Sequence, residues 1–137
     1  MTTPLNILPE NALLVTRGTS KTLQLFVSES HSGPEFEDGR RHRRPVDLTG
    51  ARLLFTVKRR LEDPRPLFQK TSDSGSQIEI INAKAGLAQI YLLPEDTQYL
   101  EVRDYLFDAW VVLASGSRLV VIPTSVFSIQ AGVTIIP

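Results

Sequence analysis

Along most of the chain, apolar side chains recur at every second position, the spacing of a β-strand with one buried face, rather than at every third or fourth. Leu23, Leu25 and Val27 alternate with Thr22, Gln24 and Phe26 after the turn-forming Arg17-Gly18-Thr19-Ser20, and Ala51, Leu53, Phe55 and Val57 alternate with Arg52, Leu54, Thr56 and Lys58. Both segments are predicted strands. Residues 67–71 follow Pro64 and Pro66 and suit a shorter strand that starts or runs at a sheet edge, where a missing N–H breaks no ladder. Residues 77–81 and 87–93 flank the turn-forming Asn82-Ala83-Lys84-Ala85-Gly86 and are predicted to pair as a hairpin. Residues 104–113 put Tyr105, Phe107, Ala109, Val111 and Leu113 on one side and Leu106, Asp108, Trp110 and Val112 on the other, the pattern of a central strand. Ser115-Gly116-Ser117 turns the chain into a strand over 118–122; Pro123 interrupts it, 126–130 resumes and 133–136 closes.

The best helical candidate, residues 94–100, has acidic residues in its first turn but is long enough only for a crossover turn. About seven to nine short strands, with turn signals roughly every ten residues, predict an all-β, antiparallel β-sandwich. The 137 residues suit one domain, with a core over about 11–134 and terminal arms at 1–10 and 131–137. One stretch breaks the pattern: residues 28–45 read as a long charged loop, first acidic at Glu35, Glu37 and Asp38, then basic through Arg40, Arg41, His42, Arg43 and Arg44.

Composition narrows the function classes. Hydrophobic residues make up 42% and charged residues 22%, a globular balance. The 15 Lys and Arg offset the 15 Asp and Glu, so no overall field favours nucleic acid or an anionic membrane as partner. Without cysteine there are no disulfides or thiolate chemistry. The first ten residues lack the pattern of an export signal, and no apolar run approaches the ~20 residues of a membrane span, so a soluble chain is expected.

Candidate chemistry is sparse. His31 and His42 are the only histidines, which leaves little for a zinc site or a Ser-His-Asp relay. Ser74-Gly75-Ser76 and Ser115-Gly116-Ser117 match neither a nucleophile elbow nor a phosphate loop and read as turns. Glu35, Glu37, Asp38 and Asp47 do not have the spacing of a calcium loop. Neither enzymatic activity nor a cofactor or metal is expected. Two binding candidates remain. Arg40, Arg41, Arg43 and Arg44 could grip phosphates or the carboxylates of an acidic protein neighbour, against the plainer reading of a solvated loop tip. Trp110 could stack on a sugar, as in a carbohydrate-binding or host-adhesion module, against the reading of a tryptophan packed between sheets, which the weight of aromatics in sandwich cores favours. Tyr91 and Tyr99 are expected at a groove or rim.

The stretch Pro45-Val46-Asp47-Leu48-Thr49-Gly50-Ala51-Arg52-Leu53-Leu54-Phe55-Thr56-Val57-Lys58 resembles a segment of phage tail and baseplate modules, in particular the amino-terminal domain of the baseplate upper protein family. The order continues through Ile78-Glu79-Ile80, Ala85-Gly86, Ala88-Gln89-Ile90-Tyr91-Leu92, Pro94-Glu95-Asp96-Thr97 and Tyr105-Leu106-Phe107-Asp108-Ala109-Trp110 to Phe127, Ile129 and Val133-Thr134, so the likeness spans about 15–134. The loop at 28–44 departs from it, standing where relatives have a brief turn, and many relatives continue beyond the module. The resemblance implies an immunoglobulin-like sandwich without catalytic residues: a structural protein of a tailed bacteriophage virion, present in several copies in the tail, baseplate or neck and bound to neighbouring virion proteins. Within the segment, Asp47 and Thr49 can bond nearby backbone, Leu48 is expected to tuck inward and Gly50 to adopt an unusual dihedral.

Overall fold

The computed structural model describes residues 12–31, 42–134 and 136. In chain order the elements are β1 (Leu13–Thr16), β2 (Lys21–Phe26), β3 (Ser28–His31), β4 (His42–Pro45), β5 (Arg52–Lys58), β6 (Phe68–Thr71), β7 (Ile78–Asn82), β8 (Leu87–Leu92), α1 (Pro94–Thr97), β9 (Asp104–Val112) and β10 (Arg118–Gln130). The protein is all-β, with one helical turn at α1 where the sequence predicts a crossover. A five-stranded sheet runs β1-β10-β9-β5-β6, a three-stranded sheet β2-β8-β7, and β3 pairs with β4 alone.

Alternation builds the core. Leu53, Phe55 and Val57 of β5 are fully buried while Arg52, Leu54, Thr56 and Lys58 between them are not. Tyr105, Phe107, Ala109 and Val111 do the same on β9, and Ala88, Ile90 and Leu92 on β8. The inward residues of the two large sheets belong to one cluster. At its centre Phe55 lies 5.5 Å from Phe107 and 6.5 Å from Phe127, ring centre to ring centre, in the tilted and edge-on arrangements that aromatic quadrupoles favour.

Four features depart from the sequence-based expectations. First, β1 has only four residues, too few to show a period, and it pairs with β10 in parallel, Leu13 opposite Phe127 and Thr16 opposite Gln130. The fold is therefore mixed rather than wholly antiparallel. Second, Pro123 does not divide two strands: β10 runs through it, absorbing the ring with register shifts between Val120 and Ile122 and between Ile122 and Ser125. Third, Val133, Thr134 and Ile136 lie in no strand. The end of β10 has no side left to offer one, because Phe127 already faces Tyr105 of β9 on one side and Leu13 of β1 on the other. Fourth, the ends of the charged stretch 28–45 form the β3–β4 ladder, Ser28 opposite Pro45 and His31 opposite His42. Its polar composition hides the ladder, since a ribbon built of Ser, Glu, His and Arg shows no apolar alternation.

The turn before β5 follows the expected chemistry. Asp47 Oδ1 accepts from the Thr49 N–H (2.9 Å) and hydroxyl (2.6 Å), Leu48 is fully buried, and Gly50 sits at φ +73°. Leu48 N–H donates to the Ala83 carbonyl (2.9 Å), Val46 N–H to Val27 O (2.9 Å) and Val27 N–H to Gly86 O (2.8 Å), so this turn is laced to the β2–β3 junction and to the β7–β8 turn.

The Thr49 bonds hold the Asp47 carboxyl below its ordinary value of 3.8, and bonds from Arg52 do the same for Asp73. Both groups bind a proton less readily when folded, so their stabilising effect is complete above the ordinary value and is lost as pH falls through the lower folded one. The urea midpoint is expected to drop as pH falls below about 4, and Asp47→Asn with Asp73→Asn to flatten that slope. An acid limb equally steep in the double variant would refute this origin.

Candidate functional site

The basic candidate is only partly placed. Arg40 and Arg41 lie outside the described residues, whereas Arg43 and Arg44 stand exposed on β4. Arg43 Nε donates to Ser28 Oγ at 2.8 Å across the ribbon, and Arg44 is the ladder partner of Glu29. Adjacent strand residues point to opposite faces, so Arg43 and Arg44 cannot form one flat cationic patch; they serve two sides of a thin ribbon. Glu35, Glu37 and Asp38 also lie outside the described residues.

Trp110 is not packed between the sheets. The inward positions of β9 are the odd-numbered ones, so Trp110 emerges on the outer face of the five-stranded sheet, where it is 38% exposed. The alternation already set it opposite Phe107; the general prevalence of aromatics in sandwich cores pointed the wrong way. Its indole Nε1–H donates to Asp108 Oδ2 at 2.9 Å.

Around Trp110 the register builds a groove of about 350 Å³. One row across the sheet reads Leu54, Trp110, Val120; the next Gln69, Thr56, Asp108; the next Lys58, Leu106, Val126. Gln69 Nε2 donates to Thr56 Oγ1 at 2.8 Å, and no donor among the described residues meets Asp108 Oδ1. A second recess of about 250 Å³ opens where Leu13, Leu23 and Leu25 meet Phe107 and Ile122, with Gln24 and Ala12 on its lining, and is largely apolar. Tyr99 is almost wholly exposed. The Tyr91 hydroxyl donates to Glu79 Oε1 at 2.6 Å, which with that carboxylate's charge pushes the phenol above its ordinary value.

One charged pair carries no signal in the sequence. Lys70 of β6 is buried, and its Nζ lies 2.7 Å from Asp96 Oδ2. The same carboxylate accepts from the Leu93 N–H at 2.7 Å, while the fully buried Thr97 accepts from the Gly18 N–H at 2.8 Å. These bonds clamp α1 between β6 and the β1–β2 turn, which accounts for the burial of the pair structurally. Among the described residues no group of three or more histidine, aspartate or glutamate side chains is placed to hold a metal ion, and no helix is long and apolar enough to cross a membrane. No protein-family model matches the chain, and no curated protein matches it.

Proposed function

We propose that the chain is an immunoglobulin-like sandwich that serves as an assembly or attachment module in the tail, baseplate or neck of a tailed bacteriophage, where it binds neighbouring virion proteins and turns over no substrate. The strand order supports the fold reading. With β2 as strand B, the three-stranded sheet runs B-E-D and the larger sheet G-F-C-C′, with β1 added beside G. Tyr105, at the start of the F-like β9, donates its phenol to the Glu101 carbonyl at 2.9 Å, the bond of a tyrosine corner. Phe55 on the C-like β5 occupies the core without the tryptophan and disulfide of antibody domains.

The observation that carries the function reading is the 45–58 segment. The residues that resemble the baseplate module are those that knot the β2–β3 junction, the β7–β8 turn and β5 together, so the likeness falls on what builds the brick. Binding would use strand edges and the β3–β4 ribbon, whose guanidinium groups suit acidic neighbours.

Tailed particles purified from a culture that makes the chain are expected to contain it in many copies by mass spectrometry. Replacing Arg40, Arg41, Arg43 and Arg44 with alanine is expected to cut its incorporation at least about tenfold, as loss of two or more charge-assisted contacts would. Particles free of the chain overturn the virion reading; full incorporation of the variant overturns the arginine contacts alone.

A further inference from the structure

The groove on the outer face of the five-stranded sheet is more than an exposed tryptophan. Trp110 is flanked by Leu54 and Val120, and its indole is fixed by the bond to Asp108 rather than left to rotate. One step along the strands comes a polar row, Thr56, Gln69 and Asp108, and one step further Lys58. The Gln69 amide nitrogen is engaged with Thr56, which leaves its carbonyl oxygen and Asp108 Oδ1 as acceptors at the groove wall and Lys58 as a donor.

We infer that this groove is a saccharide-binding site, in which a neutral pyranose ring lays its C–H face on Trp110 and directs hydroxyls to Asp108 and Gln69. A pyranose has one apolar face and a rim of hydroxyl donors, and the groove offers a flat aromatic beside acceptors that lie one residue pair away. The volume of about 350 Å³ falls within the range of small-molecule sites, roughly 300–1,000 Å³. Any partner that covers this face must bring a donor to the second Asp108 oxygen, and the hydroxyl rim of a pyranose stacked on Trp110 brings several. The inference stands independently of assembly into a virion.

Trp110 is the only tryptophan, so indole fluorescence excited beyond the tyrosine band comes from this groove. The test titrates the full chain with neutral trisaccharides of α-1,4-glucose, β-1,4-glucose, β-1,4-N-acetylglucosamine and α-linked rhamnose. One stacking face and a few water-competed hydrogen bonds predict a saturable change for at least one of them, with Kd of about 1 mM. Asp108→Asn is expected to weaken that binding about tenfold. Trp110→Ala, followed by ligand-observed NMR, is expected to abolish it while circular dichroism and melting stay near wild type. Three results overturn the site: no saturable change with any of the four sugars, binding that survives both variants, or a fluorescence change on diluting the protein alone, which marks the face as a contact between copies.

Discussion

Gly86→Ala is expected to lower the free energy of unfolding by about 2–5 kcal/mol, the sum of a left-handed backbone forced on a residue with a side chain and a steric conflict in a closed site. Gly86 sits at φ +70°, and a Cβ there would lie 2.4 Å from the Val27 carbonyl oxygen and 3.1 Å from that of Val46. Neither obstacle is a side chain that can swing away. Val27 N–H is bonded to Gly86 O and Val27 O to Val46 N–H, so moving the carbonyl strains the lacing between the β7–β8 turn and the segment that leads into β5. Two other glycines separate the contributions. Gly116→Ala, at φ +92° with nothing within 4 Å, should lose only about 1–2 kcal/mol. Gly75→Ala, with no such dihedral and open space, should stay within about 0.5 kcal/mol of the wild type. Urea denaturation of the three variants measures the series, and losses at 86 no greater than at 116 would show that the close crossing is not there.

Asp96→Ala is expected to be comparably damaging, about 3–5 kcal/mol, because it strands the ammonium of Lys70 in a buried position. Lys70 is 5% exposed, and Asp96 is its one ion-pair partner among the described residues. The substitution also frees the Leu93 N–H at the first turn of α1. Lys70→Met should lose only about 1–2 kcal/mol, since the carboxylate keeps its backbone donor and lies nearer solvent, with 12% of its side chain exposed. Combining Lys70→Met with Asp96→Ala should therefore recover much of what Asp96→Ala alone loses. Chemical denaturation of the four proteins near neutral pH completes the cycle, and simple additivity would contradict a coupled pair. Hydrogen exchange at the Gly18 amide, held by Thr97, should quicken in Asp96→Ala if α1 is clamped as described.

Period-two spacing made the central strands legible, because β5, β8 and β9 each have one wet and one dry face. The turn at 47–50 was legible for a different reason: Asp47 accepts from the Thr49 backbone and hydroxyl two residues on and Gly50 supplies the left-handed dihedral, so no distant contact is needed to read them. What stayed hidden depends on non-local partners. β1 has four residues and owes its place to the edge of β10, more than a hundred residues on, while β3 and β4 stabilise each other without apolar faces. Lys70 and Asp96 likewise meet across the fold. In the groove, the parity of β9 announced that Trp110 and Asp108 share a face, yet only the register with β5 and β6 brings Thr56 and Gln69 beside them.

Pro123 and the two register shifts around it have a consequence for crowded copies of the chain. β1 covers only Phe127 to Gln130 of the thirteen-residue β10, which leaves the remaining flank of that strand, among the described residues, as the longest stretch of unclaimed backbone in the larger sheet. A fibril grows by zippering one uninterrupted row of amide donors onto the next, and a proline within a kinked row interrupts that growth. Pro123 is therefore expected to blunt this margin as a template for a second copy of the chain.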